Sequence, residues 1–288
     1  MTNGVVNING VITPVEEGRI SVLDHGFLFG DSIYETMRTY SGKPFLFSRH
    51  FARLERSANS VFLDLSWNRD KTRSEVLRTI AAAGPGEHRV RVTITRGTGG
   101  IAPDPDSCDT PNVVIFATPF HPPANSIYEQ GVDVIVSTFY RSRQLGEAKT
   151  GNLLRAVLAM RETKGAKAFE AITLTEDGKI SDGITSNLWF VQGNTVLTPS
   201  IESGILEGIT RGVVLDLART QGLTTIEAIL DLDEVAKSSE VFLTSSTREI
   251  VPIVRVAGKP VGDGKPGPVF RKLLGAYRRE IDVLLKED

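Results

Sequence analysis

Pro119-Phe120-His121-Pro122-Pro123 puts three prolines into five positions. Proline has no N–H to donate and a fixed φ, so such a run stops both a helix and a central strand. The chain has to break there. We read 119–126 as a linker between a small first domain, 1–118, and a larger second domain, 127–288. A chain of 288 residues that is 40% hydrophobic can build a core on each side of that break.

The periodicities on either side are mixed. Val5 to Ile12 reads as a hairpin around Asn9-Gly10, and Ser32 to Tyr40 alternates as a strand that ends at Ser41-Gly42-Lys43-Pro44. Ser48 has the chemistry of an N-cap for a helix marked by Phe51, Leu54, Ala58, Val61 and Phe62. A second helix is expected from Arg69 to Ala83, and strands at Arg89–Thr95 and Val113–Thr118. Beyond the linker, Val132 to Thr138 reads as a strand. Asn152 to Lys164 reads as a helix with Leu153, Leu154, Val157 and Leu158 on one face. Short strands at 171–175, 188–191 and 196–198, a helix over 211–221 and a closing helix over 270–285 complete the pattern. There is no regular βαβ alternation, which argues against a doubly wound sheet or an eightfold barrel. The fold class is α+β, as two domains with a cleft between them.

Composition removes several functions. A net charge of −2 and a pI near 6.2 give no footprint for nucleic acid or an acidic membrane. One cysteine, Cys108, excludes an internal disulfide framework, and four scattered histidines without HxxH or HExxH spacing suggest no metal site. Met1-Thr2-Asn3-Gly4 does not open a signal peptide, and no apolar stretch reaches the roughly 20 residues of a membrane span. A cytoplasmic globular protein is expected.

The chemistry centres on Lys149-Thr150-Gly151-Asn152 and Ile180-Ser181-Asp182-Gly183. The lysine lies in a small, polar stretch before a helix, where desolvation could turn its amine into a nucleophile toward a carbonyl. The acid follows a strand and could hold a protonated ring nitrogen. Pyridoxal phosphate needs both an amine for its aldehyde, held as a Schiff base, and an acid for its ring. Its phosphate needs a cup as well. Gly208-Ile209-Thr210 leads into a helix whose N-terminal amides form an anion site, and hydroxyls recur in Thr244-Ser245-Ser246-Thr247. Arg53, one turn into the helix after Ser48, could clamp a phosphate as a bidentate donor.

Taken together, these motifs resemble the fold-type IV pyridoxal-phosphate enzymes, the class IV aminotransferases. That family includes branched-chain and D-amino acid aminotransferases and aminodeoxychorismate lyases. The resemblance runs from Asp24-His25-Gly26-Phe27-Leu28-Phe29-Gly30-Asp31 to Thr247-Arg248-Glu249-Ile250-Val251-Pro252. It implies a small N-terminal α/β domain, a larger C-terminal pseudo-barrel domain and a homodimer. It also implies that Lys149 is the Schiff-base lysine and Arg53 the phosphate arginine. Ile209, Thr210, Ser246 and Thr247 match the phosphate donors. Asp182 falls where the family usually has glutamate, and is one methylene shorter.

For the substrate, the resemblance points to Tyr34, Thr36, Arg89 and Arg91 on alternating strands, and to Arg248. Arg89 stands where branched-chain enzymes carry tyrosine, and Thr36 where they carry glycine. The Arg-x-His carboxylate trap of D-amino acid enzymes is missing after Arg96-Gly97-Thr98, which lowers that reading, while Arg-Gly-x-Gly-Gly also occurs in the lyases. The expected reaction moves an amino group between an amino acid, with L-branched-chain or similar hydrophobic substrates favoured, and a 2-keto acid. The lyase and the D-amino acid enzyme stay as alternatives, with a PLP-binding protein of little activity as a minor one.

Overall fold

The computed structural model describes residues 4–142, 146 and 148–287. Met1–Asn3, where no signal peptide is expected, and Glu147, the near neighbour of Lys149 in sequence, lie outside the described residues. The chain divides into two compact units that are not contiguous in sequence. The first comprises Met1–His121, Ala148–Leu153 and Ile281–Asp288; the second comprises Pro122–Glu147 and Leu154–Glu280.

The first unit contains β1 (Val5–Ile8), β2 (Val11–Pro14), α1 (His25–Phe29), β3 (Ser32–Tyr40), β4 (Lys43–Pro44), α2 (Phe47–Ser60), α3 (Arg69–Ala83), β5 (His88–Thr95) and β6 (Asn112–Pro119). Its strands form an antiparallel sheet in the order β2-β1-β6-β5-β3-β4. Asn9 and Gly10 both take positive φ (52° and 94°), the requirement of a tight two-residue hairpin turn. Alternation decides which side chains meet the helices. Ile33 and Met37 of β3, with Val90, Val92 and Ile94 of β5, join Phe51 and Leu54 of α2 and Val76 of α3 in one buried cluster. Register puts Tyr34 opposite Thr93, Thr36 opposite Arg91 and Arg38 opposite Arg89, all on the other face of the sheet.

Ser48 does not cap α2. The helix starts one residue before it, behind Leu46, which takes a left-handed conformation (φ 55°) with no side-chain cap. Burial of Phe45, Leu46 and Phe47 fixes that entry, and the Ser48 hydroxyl instead accepts from Arg69.

The second unit contains α4 (Ser126–Gln130), β7 (Val132–Val136), α5 (Leu154–Gly165), β8 (Glu170–Leu174), β9 (Ile180–Gly183), β10 (Asn187–Gln192), β11 (Thr195–Pro199), α6 (Ile209–Thr220), β12 (Thr224–Ala228), α7 (Glu234–Lys237), β13 (Glu240–Ser245), β14 (Glu249–Val256), β15 (Lys259–Pro260) and α8 (Pro268–Leu284). Its mixed sheet runs β12-β11-β10-β13-β14-β7-β8-β9, with β15 added to β14. The sheet curls: β9, at one end, packs against β10 and β11. This is the half-barrel of an α+β fold. β10 and β13 are buried along almost their whole length, as strands covered on both faces must be.

The apolar face expected on α5 packs only in part, with Leu153 and Leu158 half-buried. Leu154 and Val157 are 66% and 61% exposed, while Ala159 and Thr163 are buried. The helix is held to its unit through Glu162, which accepts from Ser137 Oγ at 2.7 Å and from the Thr138 amide at 3.2 Å. That anchor turns Leu154 and Val157 outward.

Candidate functional site

Lys149 belongs to the first unit, where backbone bonds along the edge of β3 fix it. The Lys149 carbonyl accepts from Tyr34 N at 2.9 Å, Gly151 N donates to the Ser32 carbonyl at 2.7 Å, and Thr150 bridges Ile33. The Lys149 amide donates to Ser57 Oγ of α2 at 3.1 Å. Glycine at 151 is a matter of space, because a Cβ there would run into Ser32 Oγ. The lysine therefore stands on a clamped segment rather than a free loop. Its Nζ lies 4.6 Å from the centre of the Tyr34 ring, and the Arg91 guanidinium carbon lies 3.7 Å from the same ring. Tyr34, Thr36, Arg38, Arg89 and Arg91 share the sheet face away from the helices. Arg38 stacks over Tyr40 and Phe120 at 3.9 and 4.4 Å.

Arg53 is buried on α2 and gripped from behind by Glu35 of β3. Its Nε and one Nη donate to the two Glu35 oxygens, each at 2.7 Å, and His50 Nδ1 lies 2.7 Å from Glu35 Oε2. Burial pushes the Glu35 carboxyl upward, but Arg53 and His50 outweigh it and hold it well below the ordinary carboxylate range. Burial also pushes the His50 imidazole below its ordinary value, against the pull of Glu35. Sequence reasoning does not single out Glu35 or His50. The available signal is an acid on the inward face of β3 between Ile33 and Met37, opposite a His50–Arg53–Ser57 stripe at helical spacing.

Asp182, Ile209, Thr210, Ser246 and Thr247 belong to the second unit. Asp182 is 2% exposed and lies at the end of β9. Its Oδ1 accepts from Asn187 Nδ2 at 2.8 Å, its Oδ2 accepts from the Leu206 amide at 2.8 Å, and an Arg141 Nη lies 3.5 Å from Oδ2. Burial raises its carboxyl above the ordinary range, and Arg141, Leu206 and Asn187 oppose that rise. Ile209 and Thr210 form the first turn of α6. The N-cap, Gly208, gives no side-chain cap, so its own residue leaves the first amides of the helix open. Ser246 and Thr247 occupy the turn between β13 and β14. Asn187 pairs with Thr244 beside that turn, so it and the start of α6 lie at the same end of the sheet. Arg248 is engaged by the protein itself. Each of its nitrogens has an acceptor: Ser245 Oγ at 3.1 Å, Glu170 Oε2 at 2.6 Å and Thr185 Oγ1 at 2.7 Å. These bonds hold its guanidinium against the turn.

The donor set fits pyridoxal phosphate. There is a clamped amine at Lys149, a buried acid at Asp182, and a helix N-terminus behind a glycine that gives no side-chain cap. A Cβ at Gly208 would run into Asn187 Oδ1. These are the residue types that an aldehyde cofactor for amines requires. Sequence comparison agrees. The model of the class IV amino-transferases matches residues 32–256, and the chain belongs to that family of PLP-dependent aminotransferases. A putative branched-chain-amino-acid aminotransferase of Methanocaldococcus jannaschii is 30% identical over 276 residues, covering 95% of each chain. A D-alanine aminotransferase of Bacillus licheniformis is 31% identical over 276 residues, covering 96% of each. An aminodeoxychorismate lyase of Bacillus subtilis is 28% identical over 287 residues, covering 98% of this chain and 97% of its own. Among solved structures, the branched-chain amino acid aminotransferase of Escherichia coli superposes with a TM-score of 0.91 at 28% identity, covering 98% of this chain and 95% of its own. The T.th. branched-chain amino acid aminotransferase, solved with pyridoxamine 5'-phosphate, gives 0.92 at 26% identity with the same coverage.

Proposed function

We propose that this aminotransferase moves the amino group of an L-amino acid with a branched-chain or similar hydrophobic side chain to a 2-keto acid such as 2-oxoglutarate or pyruvate. The observation that carries the reading is the face of the first-unit sheet that points away from its helices. Lys149 Nζ and Arg91 flank the Tyr34 ring there, and Arg89 stands on the same face. Among the described residues, neither Arg89 nor Arg91 is in an ion pair. Cations without acids suit substrates that carry carboxylates on both sides of the exchange. Tyr34 and Thr36 supply a half-buried, largely apolar floor for the donor side chain.

Bound PLP supplies an aldehyde that condenses with amines and a ring that takes up electron density from the substrate's Cα. In this reading the Lys149 amine would be the group that meets the cofactor's aldehyde and the one that carries a proton to and from carbon. Arg53, Ile209, Thr210, Ser246 and Thr247 hold the phosphate. The Asp182 carboxylate favours a positive charge on the ring nitrogen.

The same reading takes the protein to be a cytoplasmic homodimer. Among the described residues no helix is long and apolar enough to cross a membrane. The outward Leu154 and Val157 of α5 give a second copy an apolar surface to cover. Light scattering on the purified protein tests the dimer.

The activity is tested by offering L- and D-amino acids with 2-oxoglutarate or pyruvate. We expect L-leucine, L-isoleucine or L-valine to be consumed only when a keto acid is present. Turnover of D-alanine alone, or pyruvate released from aminodeoxychorismate without an acceptor, would sink this assignment in favour of the other two chemistries among its relatives.

A further inference from the structure

Asp182 and the start of α6 are 27 residues apart in sequence by their numbers, 182 and 209, yet one side chain joins them. Asn187 Nδ2 donates both to Asp182 Oδ1 and to the Leu206 carbonyl, each at 2.8 Å. The amide of the same Leu206 donates to Asp182 Oδ2 at 2.8 Å. The other end of Asn187, its Oδ1, rests so close to Gly208 that an added Cβ would overlap it. Gly208 has φ −69° and ψ 136°, a conformation open to any residue, so it is Asn187 and not the backbone that demands glycine. Asn187 is itself fixed. It opens β10, pairs with Thr244 of β13 and is 6% exposed.

We propose that Asn187 is a positioning residue. It sets the Asp182 carboxylate and the first turn of α6 in one register, so that the acid for the ring and the amides for the phosphate move together. This rests on the reading of Asp182 and α6 as cofactor-binding. The closed loop of bonds explains how an acid one methylene short of the family's usual glutamate is held firmly. Two protein donors and Arg141 fix its position, and Asn187 ties that position to the phosphate end.

The experiment uses the full-length apoprotein and two probes, pyridoxal 5'-phosphate and pyridoxal, which lacks the phosphate. Their dissociation constants are measured for the wild type and for Asn187→Ala, Gly208→Ala and Thr210→Ala. Gly208→Ala alters the phosphate end but pushes directly on Asn187. Thr210→Ala alters the phosphate end without touching it. We expect Asn187→Ala and Gly208→Ala to weaken pyridoxal about tenfold or more, the size of a lost bond to a charged group, and Thr210→Ala to weaken only the phosphorylated probe. If Gly208→Ala leaves pyridoxal affinity unchanged, as Thr210→Ala does, Asn187 transmits nothing and the proposal is overturned. Should Asn187→Ala fail to fold, Asn187→Ser and Gly208→Ala carry the same comparison. Borohydride reduction and peptide mapping of the wild type separate the two levels. An unlabelled Lys149 removes the cofactor site beneath the inference, whereas a labelled Lys149 with pyridoxal affinity unmoved in either Asn187→Ala or Gly208→Ala overturns the inference alone.

Discussion

Asp182 shows how much of a functional side chain is decided by its neighbours. The sequence offers an acid one methylene shorter than expected, which invites the extension Asp182→Glu as a repair. The structure argues the opposite. Both carboxylate oxygens already accept bonds at 2.8 Å, and the residue is 2% exposed, so an added methylene has nowhere to go. We expect Asp182→Glu to lower stability by about 1–3 kcal/mol, the usual cost of overpacking, and to retain PLP less well than the wild type. Denaturant unfolding and cofactor retention on gel filtration measure both, and tighter retention would show that the pocket tolerates the longer acid. Lys149 is the simpler case. With its backbone bonded to β3 and Ser57, Lys149→Ala should keep the fold. It should lose the borohydride-trapped label, and activity should fall by at least about a thousandfold, since nucleophile and proton carrier vanish together. Lys149 and the Gly208–Thr210 turn are readable in the sequence because lysine chemistry and helix-start amides are local properties. Asn187, Arg141 and Glu35 are not, because each acts through a partner distant in sequence.

At the scale of elements, α2 carries a polar stripe into a core. His50, Arg53 and Ser57 follow at helical spacing and are buried beside Phe51, Leu54 and Ala58. Two charges at this depth survive only because Glu35 meets Arg53 with two bonds of 2.7 Å. Removing one partner leaves the other's charge buried without this pair. Glu35→Gln should therefore cost about 3–5 kcal/mol, while the paired change Glu35→Leu with Arg53→Met should recover much of that loss and still fail to bind PLP. Urea unfolding of the three proteins checks this, and a double variant no more stable than Glu35→Gln would show that the pair has little to do with packing α2 on β3. Element boundaries in the first unit are largely legible, since β3, α3 and the Asn9-Gly10 hairpin follow from alternation and turn chemistry alone. The face of α5 is not. Counting Leu154 and Val157 as core ignores Glu162, whose bonds to Ser137 and Thr138 orient the helix. Hydrophobic spacing gives the period of a helix but not which side a polar anchor will hold.

Across the whole molecule, these buried groups act together through pH. His50 has a folded-state value below its ordinary 6.5, because burial disfavours the imidazolium. The folded protein thus binds fewer protons there than the unfolded chain, and the stabilisation present above pH 6.5 is lost as the pH falls below it. Glu35 acts in the same direction at lower pH. Its value lies well under the ordinary 4.5, so its contribution is present above 4.5 and disappears on acidification. Glu75 follows it: burial works against ionisation, but Lys71, Asn7 and Arg78 bring the group down to about 2. Asp182 runs opposite. Its raised value means that its contribution is present below the ordinary 3.8 and falls as the pH climbs through the raised value. Glu162 and Glu234 are lowered as well, so five groups against one predict apoprotein stability that increases from about pH 4 to about pH 7, with the upper part of the slope belonging to His50. His50→Gln should flatten that upper part, just below pH 6.5, and leave the acid limb below pH 4.5 in place. Denaturant midpoints taken every half pH unit resolve the two limbs. Equal slopes for variant and wild type in the upper window would mean that His50 titrates alike in the folded and unfolded chain, so that Glu35, rather than burial, sets its charge.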